Sequence, residues 1–196
     1  MSADSRPLSI PKPDIGVGLR VIERAELQTM SSRTRARDEL LTEPVLGQLN
    51  SHAAFRLIAA PSTGLEEIAF PFLVYEAKSD SSSLFFAENQ SAGGAAKALS
   101  LLQQLSSDND GTESPPVFAF ASCGTLWEAF IAFYQEQSES YHLLPISRKL
   151  DQTCDIDIFH LQVMLLRIRN WVLSVYKPKV ELMIKKLLTE YRGQTN

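Results

Sequence analysis

The sequence predicts an α/β fold: a mixed central sheet with helices on both sides. Three observations carry that expectation. The stretch Ile68 to Ala77 is apolar at almost every position, as expected of a strand covered on both faces rather than one. The segment after it contains SAGGAA (Ser91 to Ala96), small residues that let a helix approach a sheet closely. Strand-like and helix-like segments then follow in the order strand, helical segment, strands, helix, strands, helices, which fits a sandwich of packed layers.

Each element has its own warrant. Ile10 to Leu19 reads as a strand, with Pro11 and Pro13 confined to its start, where a missing N–H is tolerated. Residues 20 to 50 read as a mainly helical insertion. LRVIERAELQTM and RDELLTEPVLGQLN both have helical periodicity, the second interrupted near Pro44. His52 to Ala60 is a strand candidate, and PSTGLEE after it reads as a turn or loop. A helix is expected from about Leu84 or Glu88 to Leu105, crossing over to a strand at Val117 to Ser122. That strand and Trp127 to Gln135 alternate around Cys123-Gly124-Thr125, the pattern of a hairpin. Tyr141 to Leu150 reads as a further strand. Asp155 to Val175 reads as an amphipathic helix, Lys177-Pro178 as a break, and Lys179 to Tyr191 as a second helix.

The 196 residues suit one domain carrying that insertion, and 44% hydrophobic content is enough for a real core. A net charge of −4 argues against a generic basic coat for nucleic acid and leaves room for a local basic patch. Arg33, Arg35 and Arg37 form one basic cluster; Arg167, Arg169, Lys177, Lys179, Lys185, Lys186 and Arg192 form another. Either can meet phosphates, although a solvated helix face gives the same pattern. Cys123 and Cys154 lack metal-type spacing and suit a reducing compartment. The amino terminus has no apolar core of a secretory signal, and no apolar run approaches the roughly 20 residues of a membrane span. An intracellular location, nucleus or cytoplasm, is therefore expected, with no membrane partner.

The chemistry is concentrated in two short pieces. KPDIGVGL carries Pro13-Asp14, and FPFLVYEAK ends in Glu76-Ala77-Lys78. A charged pair closing so apolar a strand needs compensation, because an unpaired buried charge is costly. Alternate side chains share a strand face, so Glu76 and Lys78 point the same way with Cα atoms about 6–7 Å apart. Asp14 and Glu76 offer hard oxygen ligands suited to Mg²⁺ or Mn²⁺. A buried ion pair with no catalytic role is the other reading of these residues. His52, His142 and His160 have no mutual spacing that suggests a metal site or a triad, and Trp127 and Trp171 read as core.

Pro-Asp followed by Glu-x-Lys at the end of an apolar strand resembles the PD-(D/E)XK nuclease superfamily. The wider text is similar to its fungal nuclease-like branch: PKPDIGVGL, PFLVYEAKS, ENQSAGGAAKAL, PVFAFASCGTLWEAFIAF and a long C-terminal helix, from Pro11 to about Trp171. The resemblance implies a restriction-endonuclease-like sandwich over residues 1 to 196, with the insertion at about 20 to 50 and C-terminal helices at about 155 to 191. It implies a metal-dependent nuclease acting on DNA or RNA. Asp14 and Glu76 would hold Mg²⁺ or Mn²⁺ with the Ala77 carbonyl, Lys78 would assist the attacking water, and Gln90 on the next helix would hold water or phosphate. One departure is that no glutamate precedes Asp14, where many members have one; Glu23 or Glu26 are the nearest substitutes. The alternatives are a catalytically degenerate nuclease-fold binding or scaffold module, and an interaction protein whose helices bind a protein partner or a second copy.

Overall fold

The computed structural model describes residues 14–31, 39–51, 68–105 and 113–194. The strand candidate His52 to Ala60 and the arginines 33, 35 and 37 lie outside them. The described chain runs β1 (Ile15–Arg20), α1 (Arg24–Thr29), α2 (Glu43–Ser51), β2 (Ile68–Lys78), α3 (Leu84–Gln103), β3 (Val117–Cys123), β4 (Leu126–Gln135), a 3₁₀ turn (Glu136–Ser138), β5 (Ser140–Pro145), β6 (Leu150–Asp151), α4 (Asp155–Trp171), a π turn (Val172–Tyr176) and α5 (Lys177–Gln194). The six strands form one sheet in the order β1-β2-β3-β4-β5, with β6 also on β4. Only β2 and β3 are parallel; the other pairs are antiparallel. The protein is thus an α/β sandwich with a mixed sheet. None of its described helices is long and apolar enough to cross a membrane.

The pleat assigns the helices to faces. Val74 pairs with Ala119 and Glu76 with Ala121 on one face; Leu73 pairs with Phe118 and Tyr75 with Phe120 on the other. Helix α3 covers the first face. Its buried Ala87, Ser91, Gly94, Ala95 and Ala98 meet the equally small Ala119 and Ala121, both fully buried. The SAGGAA stretch therefore acts as the sequence suggests, letting helix and sheet axes come close. The C-terminal helices cover the second face, where Phe118 meets Trp171 edge-on with centroids 5.3 Å apart. Trp127 and Trp171 both pack against the core, as their composition implies.

Pro71 lies in the middle of β2, where proline is disfavoured because it cannot donate to a ladder. A bulge accommodates it. The register moves from Val17↔Leu73 to Leu19↔Ala69, so β2 spends two more residues than β1, and Phe70 takes a left-handed φ of 48°. Gly18 sits opposite. A Cβ there would lie 2.7 Å from the Ala69 carbonyl oxygen, so the close approach of β1 to the bulge needs glycine. The fully buried Tyr176 of the π turn donates its hydroxyl to the carbonyls of Phe70 (3.0 Å) and Pro71 (3.3 Å). Burial pushes its phenol pKa well up, so it stays a donor.

Two segments differ from the sequence reading. No break occurs at Lys177-Pro178: the chain passes from α4 through the π turn into α5 without leaving helical geometry. Pro178 is the second residue of α5, and the residue four before it, Ser174, lies in the π turn. The wider ladder there removes the usual conflict between a proline ring and the i−4 carbonyl. The strand expected over Tyr141 to Leu150 is split into β5 and β6 by Ile146 to Lys149, where the chain spends two more residues than β4 between Phe130↔Pro145 and Trp127↔Leu150. The split places Arg148 beside α4. Its guanidinium grips the carboxylate of buried Asp157 through both terminal nitrogens, one at 3.1 Å, and Asp157 also accepts from the Asp151 N–H at 2.9 Å.

Two outcomes follow. Tyr176→Phe leaves two buried carbonyls without their donor and should cost about 1–3 kcal/mol in denaturant unfolding, with no change in secondary structure. The Asp151 N–H and then the Arg148 guanidinium hold the Asp157 carboxyl below its ordinary pKa. A depressed folded pKa means stability present above the unfolded value and lost as pH falls through the folded one. The stability gap between the wild type and Asp157→Asn should accordingly be widest near neutrality and close as pH falls below about 4; a gap that persists undiminished through that acid range would refute the assignment.

Candidate functional site

The site forms at the carboxyl end of β2. The last registered pair of the outer ladder is Ile15↔Tyr75, so Asp14 lies opposite Glu76. Reciprocal contacts close the juncture. The Asp14 N–H donates to Glu76 Oε2 at 2.9 Å, and the Ala77 N–H donates to Asp14 Oδ2 at 2.8 Å. Lys78, on the same pleat face as Glu76, donates from Nζ to Glu76 Oε1 at 3.1 Å. The Glu76 residue is 2% exposed, whereas Asp14 is exposed and Lys78 half-buried. Of the residues singled out in the sequence, Asp14, Glu76, Ala77 and Lys78 are therefore brought together.

The main chain contributes to the same place. The N–H and C=O of one strand residue point to the same side. The Ala77 N–H goes to Asp14, so its carbonyl also faces the β1 edge. The Lys78 carbonyl faces the other way and accepts from the Gly124 N–H at 3.1 Å. Gly124 has φ +56°, and a Cβ there would collide with the Asp80 carboxylate. The Gly124-Thr125 hairpin turn thereby pins the end of β2 from the β3 side, while Cys123 Sγ donates to the carbonyls of Ser79 and Ser82 in the loop before α3.

Gln90 lies on α3 and is exposed. At about 100° per residue, Glu88 and Gln90 flank the sheet-facing line of Ala87 and Ser91 on opposite sides. Glu88 reaches Glu128 on β4, so the Gln90 flank faces the β1 edge, where Asp14 stands. Lys97 lies two turns on along that flank. Of Glu23 and Glu26, the nearest substitutes for an upstream glutamate, Glu26 pairs with Arg20 at 2.9 Å on the surface.

Sequence reasoning missed a second group on the same face. Glu76 is in register with Ala121, and Ala121 with Glu128, so Asp14, Glu76 and Glu128 share one row across the sheet. Lys149, delivered by the split between β5 and β6, lies 3.4 Å from Glu128 and 3.6 Å from Glu88. Burial pushes the Glu128 carboxyl pKa up and the hydrogen bond with Glu88 adds to this, against the opposing Lys149 ammonium. The signal was present in WEAFIAF, an acid inside an apolar strand as in VYEAK; only the register reveals that the two align. On the opposite face, Tyr75 stacks on Trp127 at 4.7 Å and its hydroxyl meets Ser122 Oγ at 2.8 Å, bracing the strand beneath Glu76.

The C-terminal basic cluster belongs to the helices of that opposite face, away from the Glu76 row. Among the described residues no three or more His, Cys, Asp or Glu side chains converge as a metal cage. The hard-oxygen donors at the β1–β2 juncture are the Asp14 and Glu76 carboxylates, each held by an N–H of the other strand, and the Ala77 carbonyl. In their chemistry these are the donor types of a Mg²⁺-type ion, which binds few protein ligands and keeps several waters.

No family model matches the chain, and no curated protein and no solved structure shows a significant match.

Coupling between Glu76 and Lys78 is measurable independently of any function. Lys78→Met leaves a buried carboxylate without its ammonium and should destabilise by about 1–3 kcal/mol. Glu76→Gln in the same chain should recover part of that loss; additive effects in the double-mutant cycle would show that the pair is not energetically linked.

Proposed function

We propose that this chain is a metal-dependent nuclease-like protein of restriction-endonuclease-like fold, hydrolysing phosphodiester bonds of nucleic acid. The observation that carries the reading is the clasp of Asp14 and Glu76 across two strands, with Lys78 bonded to Glu76 on the same face. Asp14, Glu76 and the Ala77 carbonyl would hold Mg²⁺ or Mn²⁺. The bound ion would neutralise phosphate charge and supply a hydroxide-like water near neutral pH.

The protein's own groups have separable tasks. The Asp14 N–H fixes the Glu76 carboxylate, and the Ala77 N–H fixes that of Asp14, so neither has to be ordered when substrate arrives. Lys78 keeps two further N–H donors beyond the one given to Glu76. These can orient the attacking water and a non-bridging phosphate oxygen. Gln90 and Lys97, on the α3 flank above the β1 edge, are placed to meet the phosphate backbone. A chain of net charge −4 relies on such local donors rather than on a basic coat.

One observation favours the second reading, a degenerate nuclease-fold binding module. The Glu76 carboxylate is already satisfied by an ammonium and an N–H in a nearly closed environment, the arrangement of a purely structural ion pair.

The test is metal titration combined with cleavage assays on single- and double-stranded DNA and RNA. Cleavage should require Mg²⁺ or Mn²⁺ and stop with EDTA. Lys78→Ala should slow it about 10²–10⁴-fold, the usual worth of an assisting acid–base group. Asp14→Ala and Glu76→Ala should lose metal binding and activity together. Gln90→Ala should lower the rate without altering stability, since that side chain is exposed. Metal binding without turnover on any substrate would select the binding module. Undiminished cleavage by Glu76→Ala would show that the activity resides elsewhere.

A further inference from the structure

Helix α4 buries one apolar face and leaves much of the rest of its apolar surface exposed. Ile158 and Leu165 lie on one flank, and a longer, more exposed row lies on the side opposite the core. Asp157, Leu161, Met164, Ile168 and Trp171 turn towards the rest of the protein. On the opposite side Ile156 is 63% exposed, Phe159 61%, Leu166 56% and, in the π turn, Leu173 56%. With the half-buried Val163 and exposed Asn170, these residues are spaced 3, 4, 3, 4, 3 along the chain. That is the a/d repeat of a coiled-coil seam: Ile156, Val163 and Asn170 at a, and Phe159, Leu166 and Leu173 at d.

We propose that α4 pairs with α4 of a second copy of this chain, in parallel, to form a two-stranded homodimer along this seam. The composition selects both the occupant and the orientation. β-Branched residues at a with leucine at d favour two parallel strands. Asn170, at an a position, meets its own symmetry mate in the parallel arrangement, where two amides can satisfy each other. In the antiparallel arrangement it is buried against Phe159, which offers its amide no comparable partner. The flanking charges agree. Parallel packing sets Asp155 against His160, Gln162 against Arg167 and Arg169 against Ser174, with no like-charge pair. Antiparallel packing brings Arg167 against Arg167 at the dyad.

Two and a half heptads are too few for an isolated coiled coil. Here the helix is already folded against the sheet, so pairing does not pay for nucleation, and ordering costs are correspondingly small. An exposed seam of this size on a protein surface is the ordinary mark of an interaction site. The proposal does not rest on the nuclease reading.

The test is sedimentation equilibrium of the full chain at micromolar concentration. The wild type should run at twice the monomer mass of 21.8 kDa, and Phe159→Glu with Leu166→Glu should run at the monomer mass. Because both side chains are exposed, circular dichroism of that variant should be unchanged, which separates dissociation from unfolding. Orientation is read by oxidative cross-linking in a Cys123→Ser, Cys154→Ser background. Ile156→Cys should cross-link to itself, since parallel strands bring equivalent residues within disulfide reach. In an antiparallel pair the two copies of residue 156 stand about 25 Å apart, and only a mixture of Ile156→Cys with Leu173→Cys would cross-link. A monomeric wild type, or a dimer that survives the double glutamate variant, overturns the interface; cross-linking only in the mixture overturns the parallel orientation.

Discussion

A carboxylate at 2% exposure, such as Glu76, must be compensated from outside its own strand as well as from within it. Lys78 supplies the ammonium from two residues along, by the period of the strand alone. The Asp14 N–H supplies the rest from β1, and this requires β1 to end where it does. The register of the outer ladder, the bulge that sets it and the position of Asp14 are thus one constraint seen at three places. If the ladder slipped by one residue, Asp14 would face the wrong pleat, and Glu76 would be buried with only half its partners.

That register is held from a distance. The bulge at Phe70-Pro71 shifts the two ladders against each other between Val17 and Leu19. It leaves carbonyls that a regular sheet would have satisfied, and Tyr176 takes both. Tyr176 comes from a π turn, where the extra residue per turn alters the direction in which a side chain leaves the helix. The C-terminal helix therefore touches the candidate site only indirectly. It stabilises the bulge, the bulge fixes the register, and the register seats Asp14 on Glu76.

These links divide into those a sequence can display and those it cannot. Strands β2, β3 and β4 and helix α3 were legible because their apolar patterns are long and their turns carry Gly124 or a Ser-rich loop. The faces of Glu76 and Lys78 were legible because a strand has a period of two. Pro178 was misleading because a local rule forbids proline inside a helix, and the protein answers it with an irregular structure, the π turn, as it answers Pro71 with a bulge. The alignment of Glu128 with Glu76 lay out of reach, since it depends on counting register through β3. Lys149 was hidden likewise, delivered by a strand that splits between Pro145 and Leu150.

The two surfaces described here occupy opposite sides of one sheet, and this has consequences for how they can be combined. The Glu76 row lies under α3; the α4 seam belongs to the helices on the other face, where Phe118 meets Trp171. A dimer joined along α4 would carry its two Glu76 rows on its outer faces, turned away from the dyad. Arg167 and Arg169 of α4, which flank the seam, would then lie near the dimer axis, remote from either pair of carboxylates. Pairing of α4 would therefore leave the clasp of Asp14, Glu76 and Lys78 undisturbed. On the nuclease reading proposed above, each half would meet its own segment of nucleic acid, because no single duplex can occupy two outward-facing sites without wrapping around the whole particle. Bending a duplex through so short a path costs several kcal/mol, so on that reading the two sites would work independently.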